Sequence, residues 1–436
     1  MPGMATAGIT NSPGGASAPE VVRAPRIHSI DAVRGLVMFT MIFVNDLAGN
    51  GQVVPDWMSH FSDRHPVGSG MTFVDLVFPG FLFIVGMSIP FALGGRLARG
   101  EATWRILRHV LVRTISLLVL GIMMVNESPD TKTMGWSAIG WTALMYFSAI
   151  LAFCGIAPPS VAEAAAGTKR RWQWVSQGLR MAGLVTLCWL ACAFRGKHGE
   201  RILTFSPFSI HHDWYGILGL IGWAYLVGAI VYLLFRCRRT ALLGCLALLM
   251  CLYPADKTGL FDGLALSNLV GIGETLGSQG AITVAGVLLA TILLTADTVT
   301  VAARVRFTLL FIAGCAAAAI LTKGLYGINK NEATPAWCFW SCVVTAALWL
   351  IFYLVTDARR IPGLSRPFVV AGQNVLLAYL ISEGSESFLS VLHLGNWYDN
   401  LGSTSLAGAC TRSASCGVVI LALTAGLNRV GFRLKL

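Results

Sequence analysis

The chain has 436 residues, of which 55% are hydrophobic and 12% charged, with a mean hydropathy of +0.68. Soluble domains carry about 25% charged residues, so the composition excludes an ordinary soluble protein and points to lipid as the solvent. The net charge of +11 does not imply nucleic acid, because the basic residues lie singly or in twos and threes between apolar spans and form no basic face with interleaved aromatics.

Residues 1–25 are rich in Gly, Ala, Ser and Pro. They read as a disordered cytoplasmic tail rather than a signal peptide, since no basic segment precedes an apolar run. Residues 26–436 read as a single transmembrane domain. A helix crossing the hydrocarbon core needs roughly 20 residues. Twelve apolar stretches approach that length: 32–49, 72–93, 107–125, 134–156, 174–194, 214–235, 239–253, 281–297, 306–323, 337–355, 369–392 and 407–428. The seventh is short and ends at Tyr253-Pro254. The expected fold is therefore all-α, a polytopic bundle of about twelve helices.

Arginine and lysine recur in alternate connections, near 23–26, 96–105, 169–171, 236–239, 304–306, 359–366 and 429–435. By the positive-inside rule those segments are cytoplasmic. Both termini then lie inside, and the loop containing His65 lies outside. Most cysteines fall within spans, where they act as small hydrophobes, and no CxxC pair is present. No metal site is expected. His211-His212-Asp213 offers too few ligands at a recognised spacing.

The first span reads SIDAVRGLVMFTMIFVND. Asp31 and Arg34, three residues apart, share a face at the inner end. Asn45 returns to within about 20° of that face roughly 16 Å higher. The pattern fits an interfacial ion pair with an interhelical amide, and equally a polar track. The second span opens HPVGSGMTFVDLVFPGF. Thr72 and Asp75 have the spacing of a capping box, with Thr72 as N-cap; Pro79 would then sit in the second turn and kink the helix. Lys330 lies in the outer loop between Asn329 and Asn331, while Glu383 and Glu386 lie within the eleventh span. Carboxylates in a span face a cavity or a partner, and Lys330 or Arg412 could supply one. GIGETLG at 271–277 lacks the context of a dinucleotide loop.

The blocks RIHSIDAVRGLVMFTMIFVND, HPVGSGMTFVDLVFPGFLFIVGMS, INKNEATPAW and RPFVVAGQNVLLAYLISE resemble the heparan-α-glucosaminide N-acetyltransferase family, in its bacterial members. The resemblance implies a transmembrane acetyltransferase that takes acetyl-CoA from the cytoplasm and acetylates an amino sugar or glycan on the other side, with no metal. His65 matches the family's catalytic histidine, Asn45 the functional asparagine of the first span, and Asp75 the acidic residue of the D-L-V-F-P block. Asp31 and Arg34 match the charged pair at the cytoplasmic end. In this reading His65, Asn45 and Asp75 are catalytic, Asp31, Arg34 and Asn45 hold the acetyl-CoA, and Lys330, Asn329 and Glu383 bind the acceptor.

Two departures stand out. A short tail replaces the luminal N-terminal domain of the lysosomal enzyme, and the 195–280 region adds a helix pair, so heparan sulfate is not assumed. The implied location is a bacterial inner membrane, with the bilayer and the sugar as partners, no nucleic acid, and a homodimer left open. The competing classes are a transporter or flippase of a lipid or glycan precursor and an O-acetyltransferase of an envelope polysaccharide.

Overall fold

A computed structural model describes residues 27–49, 53–126, 129–157, 166–197, 199–205, 208–210, 214–359 and 362–434. The expected N-terminal tail and the His211-His212-Asp213 cluster lie outside the described residues. In hydrocarbon every backbone polar group must find its partner within the protein, which leaves a helix as the economical solution for these apolar runs. The long helices are α1 (His28–Ala48), α2 (Val77–Ala98), α3 (Thr103–Val125), α4 (Ala138–Phe153), α5 (Ala166–Ala193) and α6 (Gly216–Phe235). They continue with α7 (Arg239–Lys257), α8 (Gly280–Ala290), α9 (Val301–Tyr326), α10 (Pro335–Phe352), α11 (Val375–Val391) and α12 (Leu406–Arg429).

Each expected span coincides with one of these helices. Among the described residues, nine helices are long and apolar enough to cross a membrane. The other three expected spans fall short for visible reasons. Helix α4 has 16 residues, α11 has 17 and carries Glu383 and Glu386, and α1 carries Asp31, Arg34 and Asp46. The chain is an all-α polytopic membrane protein. Among the described residues the strands form two short antiparallel pairs, β1 (Cys154–Ile156) with β4 (Phe432–Leu434), and β2 (Leu203–Phe205) with β3 (Phe208–Ile210).

Several boundaries differ from the sequence reading. Helix α7 does not stop at Tyr253-Pro254 but runs through Pro254 to Lys257. The eighth span starts earlier, because GETLG is wound into a π-helical turn, Ile272–Gln279, that feeds α8. The eleventh span is broken: a helix over Pro362–Ala371 ends before Gly372, and α11 restarts at Val375.

Close backbone crossings set the arrangement, as expected where lipid offers helices no hydrophobic drive to associate. The Ile272–Leu293 segment that contains α8 is the axis, with 89% of its most apolar stretch buried, against 17% for α9. A Cβ built on Gly86 of α2 would lie 2.0 Å from the Thr283 carbonyl oxygen of α8, and one on Gly286 would lie 2.0 Å from the Phe83 oxygen. Gly121 of α3 meets the Tyr215 oxygen before α6 in the same way, at 2.1 Å. Helix α9 instead presents Leu309, Leu310, Ile320, Leu321 and Leu325 outward, an apolar face suited to lipid.

Gly86→Ala is therefore expected to cost about 3 kcal/mol through overpacking, measured as lost thermal stability in detergent. Gly314→Ala on α9 adds a Cβ with nothing within 4 Å and should leave stability unchanged. Equal effects from the two would show that the α2–α8 crossing does not set the packing.

Candidate functional site

The strongest polar constellation lies where the loop before α2 meets the loop before α10, at the end of the bundle opposite the arginine-rich connections. Asp75 is buried, at 1% exposure. One carboxylate oxygen is 2.7 Å from His60 Nδ1. The other accepts the backbone N–H groups of Phe61 (3.1 Å) and Thr72 (3.0 Å) and the Thr72 hydroxyl (3.4 Å). Half of the expected capping box is present, since Asp75 accepts the Thr72 N–H, but Thr72 is not the N-cap: Phe73 holds that position without a side-chain cap bond.

Pro79 falls one turn earlier in the helix than the capping box implied. The α-helix proper begins at Val77 after a 3₁₀ turn over Val74–Leu76, so Pro79 falls in its first turn, where a missing N–H is tolerated. The Asp75 carbonyl that Pro79 cannot bond accepts instead from the Trp337 indole at 3.1 Å. That single contact ties the head of α2 to α10.

The sequence offered His65 and Asp75 as separate catalytic candidates, and in the structure the histidine bonded to Asp75 is His60. A short helical turn over Phe61–Arg64 separates the two histidines. It leaves His65 exposed, with its ring against Phe61 at 4.7 Å between centroids. His60 is the histidine on the carboxylate. His65 does line a small cavity with Asp75, Asn329 and Lys330. The spacing of 15 residues between His60 and Asp75 carries no helical or strand signal, which is why pattern reading passed it over.

Lys330 reaches this cluster from the 327–334 loop, which is laced to 69–70 by Gly70 N–H to the Ile328 carbonyl (2.9 Å) and Ile328 N–H to Ser69 Oγ (2.8 Å). Its Nζ lies 3.1 Å from His60 Nδ1 and 3.3 Å from Nε2. Burial pushes the Lys330 ammonium below the ordinary lysine pKa, while Asp75 and Asp63 pull it the other way. Lys330 thus serves His60 rather than the glutamates of α11. Asn329 is engaged in its own turn: Oδ1 accepts from the N–H of Asn331 (2.8 Å) and Glu332 (3.3 Å), and Nδ2 donates to Glu332 Oε1 (3.2 Å). It shapes the loop more than it offers itself to a ligand.

Asn45 sits in a different pocket from the one that His65 lines. Its Nδ2 donates to Glu383 Oε1 of α11 at 2.8 Å. The surrounding cavity of about 350 Å³ is also lined by Asp46, Glu386, Tyr398, Arg412 and Cys416. Asp46, which the sequence reading did not single out, is the hub of that wall. It accepts from the Tyr398 hydroxyl (2.6 Å), the Ser413 hydroxyl (2.5 Å) and Arg412 Nε (3.2 Å). Arg412, offered from sequence as a partner for Glu383 and Glu386, lines the same cavity as they do and is ion-paired with Asp46.

At the arginine-rich end, Arg34 is ion-paired with Asp31, as the spacing implied. Arg34 Nε also donates to the Gly372 carbonyl at 2.6 Å, which the break before α11 leaves free. Gly35 and Gly372 let the two backbones touch there: a Cβ on Gly372 would lie 2.2 Å from the Asp31 oxygen. Asp357 accepts from the first N–H groups of α1, at His28 (3.2 Å) and Ser29 (3.1 Å).

Between the two ends runs a mostly apolar cavity of about 230 Å³, lined by Arg34, Met38 and Met41 of α1 with Phe81, Arg113 and Tyr379 among others. Met41 is four residues, about one helical turn, short of Asn45. Arg113 was not identified from sequence, although an arginine in the middle of an apolar span is a signal in itself.

A family model described as a domain of unknown function, DUF5009, matches residues 26–131. The human heparan-α-glucosaminide N-acetyltransferase is 33% identical over 115 residues, 26% of this chain and 16% of that protein. The Mus musculus protein of the same name is 32% identical over 116 residues, 27% of this chain and again 16% of the relative. The matched stretch thus spans about a sixth of the length of these curated relatives. Asp31, Arg34, Asn45, His60, His65 and Asp75 all fall within residues 26–131, whereas Lys330 and Glu383 do not. Over about a quarter of its length, this membrane protein resembles the heparan-α-glucosaminide N-acetyltransferases.

Proposed function

We propose that the protein is a transmembrane acetyltransferase, moving an acetyl group from cytoplasmic acetyl-CoA to an amino sugar or glycan on the outer side of a bacterial inner membrane. Both termini and the arginine-rich loops would then face the cytoplasm, with His60 and Asn45 at the outer end. The observation that carries the reading is the His60–Asp75 pair. A buried carboxylate on Nδ1 holds the neutral ring as the Nδ1–H tautomer and leaves Nε2 as the basic atom. Nε2 would take the proton from the acceptor nitrogen as it attacks the acetyl carbonyl, while the thiol of CoA leaves.

The donor side would use the cavities beside α1 and around Asn45, which are separate from the histidine cluster, so the acetyl carbonyl has to lie between Asn45 and His60 for both to act on it. The apolar cavity beside α1 accommodates a slender arm that enters near Arg34 and Asp31 and ends one turn below Asn45. The Asn45 amide is a donor suited to an oxygen that gains charge, a role typically worth about 3 kcal/mol. Glu383, which now holds that amide, belongs to a carboxylate-rich cavity suited to the acceptor's amine. The Lys330 ammonium beside Nε2 must yield that position when substrate arrives.

The histidine assignment is tested by two variants assayed for thiol release from acetyl-CoA in the presence of amino sugars. His60→Ala should lower the rate by about a hundredfold or more, and His65→Ala should change it by less than about threefold. The reverse ranking would return the base to His65. Acceptor transport without thiol release would replace the enzyme with a carrier.

Lys330 gives a pH-dependent prediction. A lysine whose folded pKa lies below its unfolded value binds fewer protons in the folded state between the two, so its contribution to stability rises with pH over that interval. From neutral pH toward about pH 10, thermal stability of the native protein should therefore rise relative to Lys330→Met. A constant difference would mean that Lys330 sits in a solvent-like setting.

A further inference from the structure

Arg113 is a cation for which the described part of the protein provides no anion. It lies in mid-α3, and its Nε is buried with no hydrogen-bond partner among the described residues. Its guanidinium rests on the Tyr225 ring, 4.8 Å from the centroid. It faces the same apolar cavity as Arg34, and the described lining of that cavity contains no carboxylate. Glu101, the acid that precedes α3, is twelve residues before Arg113 and is taken by Arg96 at 2.6 Å. Arg34 differs in coming with its own counterion, Asp31. A guanidinium held at membrane depth is expensive, and such residues mark ligand or ion pathways. Its planar fork matches phosphate oxygens two at a time.

We infer that Arg113 binds a phosphate group of the ligand that fills this cavity, a ligand combining an anionic head with a slender apolar arm. Resting on the acetyltransferase reading, that group is the diphosphate of CoA, with the pantetheine arm lying along Met38 and Met41 toward Asn45. The phosphate of a membrane lipid offers the same chemistry, and the experiment separates the two sources. Arg113 then determines affinity for the phosphorylated donor, while Arg34 and Asp31 frame the entrance.

The test is calorimetric titration of the purified full-length protein in detergent with CoA and with pantetheine, which lacks the phosphates. Arg113→Gln should weaken CoA binding by about tenfold to a hundredfold and leave pantetheine binding unchanged. Arg113→Lys should retain part of the CoA affinity. Equal weakening of both ligands, or unchanged CoA binding, would overturn the assignment. Should the Gln variant fail to fold, Arg113→Lys alone decides it, since losing the forked geometry must lower CoA affinity while sparing pantetheine.

If the native protein binds neither CoA nor pantetheine, the acetyl-CoA reading fails by itself. Mass spectrometry of co-purified lipids then tests the anion site. A phospholipid kept by the native protein and lost from Arg113→Gln supports the site, and equal retention by both overturns it.

Discussion

Asp75 is a carboxylate buried at the head of an apolar helix, and an uncompensated charge there would cost several kcal/mol. It is tolerated because both oxygens are used, one by His60 and one by the Phe61 and Thr72 amides. Those bonds fix the 60–72 loop over the bundle end. The carbonyl of the same residue, freed by Pro79, binds Trp337 and so fixes α10. The 327–334 loop that precedes α10 then delivers Lys330 to His60. One residue thus sets the orientation of a histidine, a lysine and two helices, and a change there would disturb several elements together.

Helix α1 links the polar chemistry at the two ends. Its N-terminal end carries the Asp31–Arg34 pair, and its C-terminal end carries Asn45 and Asp46 facing α11 and α12. Between them its methionines line the apolar cavity. A polar residue at either end can be satisfied by neighbours or by water, whereas one in the middle must find a partner in the protein or in a ligand. Arg113, midway along α3, lines that cavity.

The glycine crossings explain why the cavity persists. Helices α2 and α8 meet backbone to backbone at Gly86 and Gly286, as do α3 and the segment before α6 at Gly121. Contacts that short leave little freedom to close over the space between α1, α2, α3 and α6. Packed interiors resist such collapse, because each side chain already occupies its neighbours' gaps.

The sequence by itself determined the solvent, the helical class and the position of every long helix, because length and apolarity answer directly to the hydrocarbon core. It also exposed Asp31–Arg34, since residues three apart on a helix meet whatever else the chain does. It pointed to His65 and passed over His60, because a loop has no fixed period and the intervening turn decides which ring reaches Asp75. It placed Asn45 on a polar face of α1 without knowing that Glu383, hundreds of residues away, would meet it. Lys330, Trp337 and the break before α11 are likewise matters of distant contact. Helix positions were local properties of the chain, and the site was decided only when separate helices and loops met.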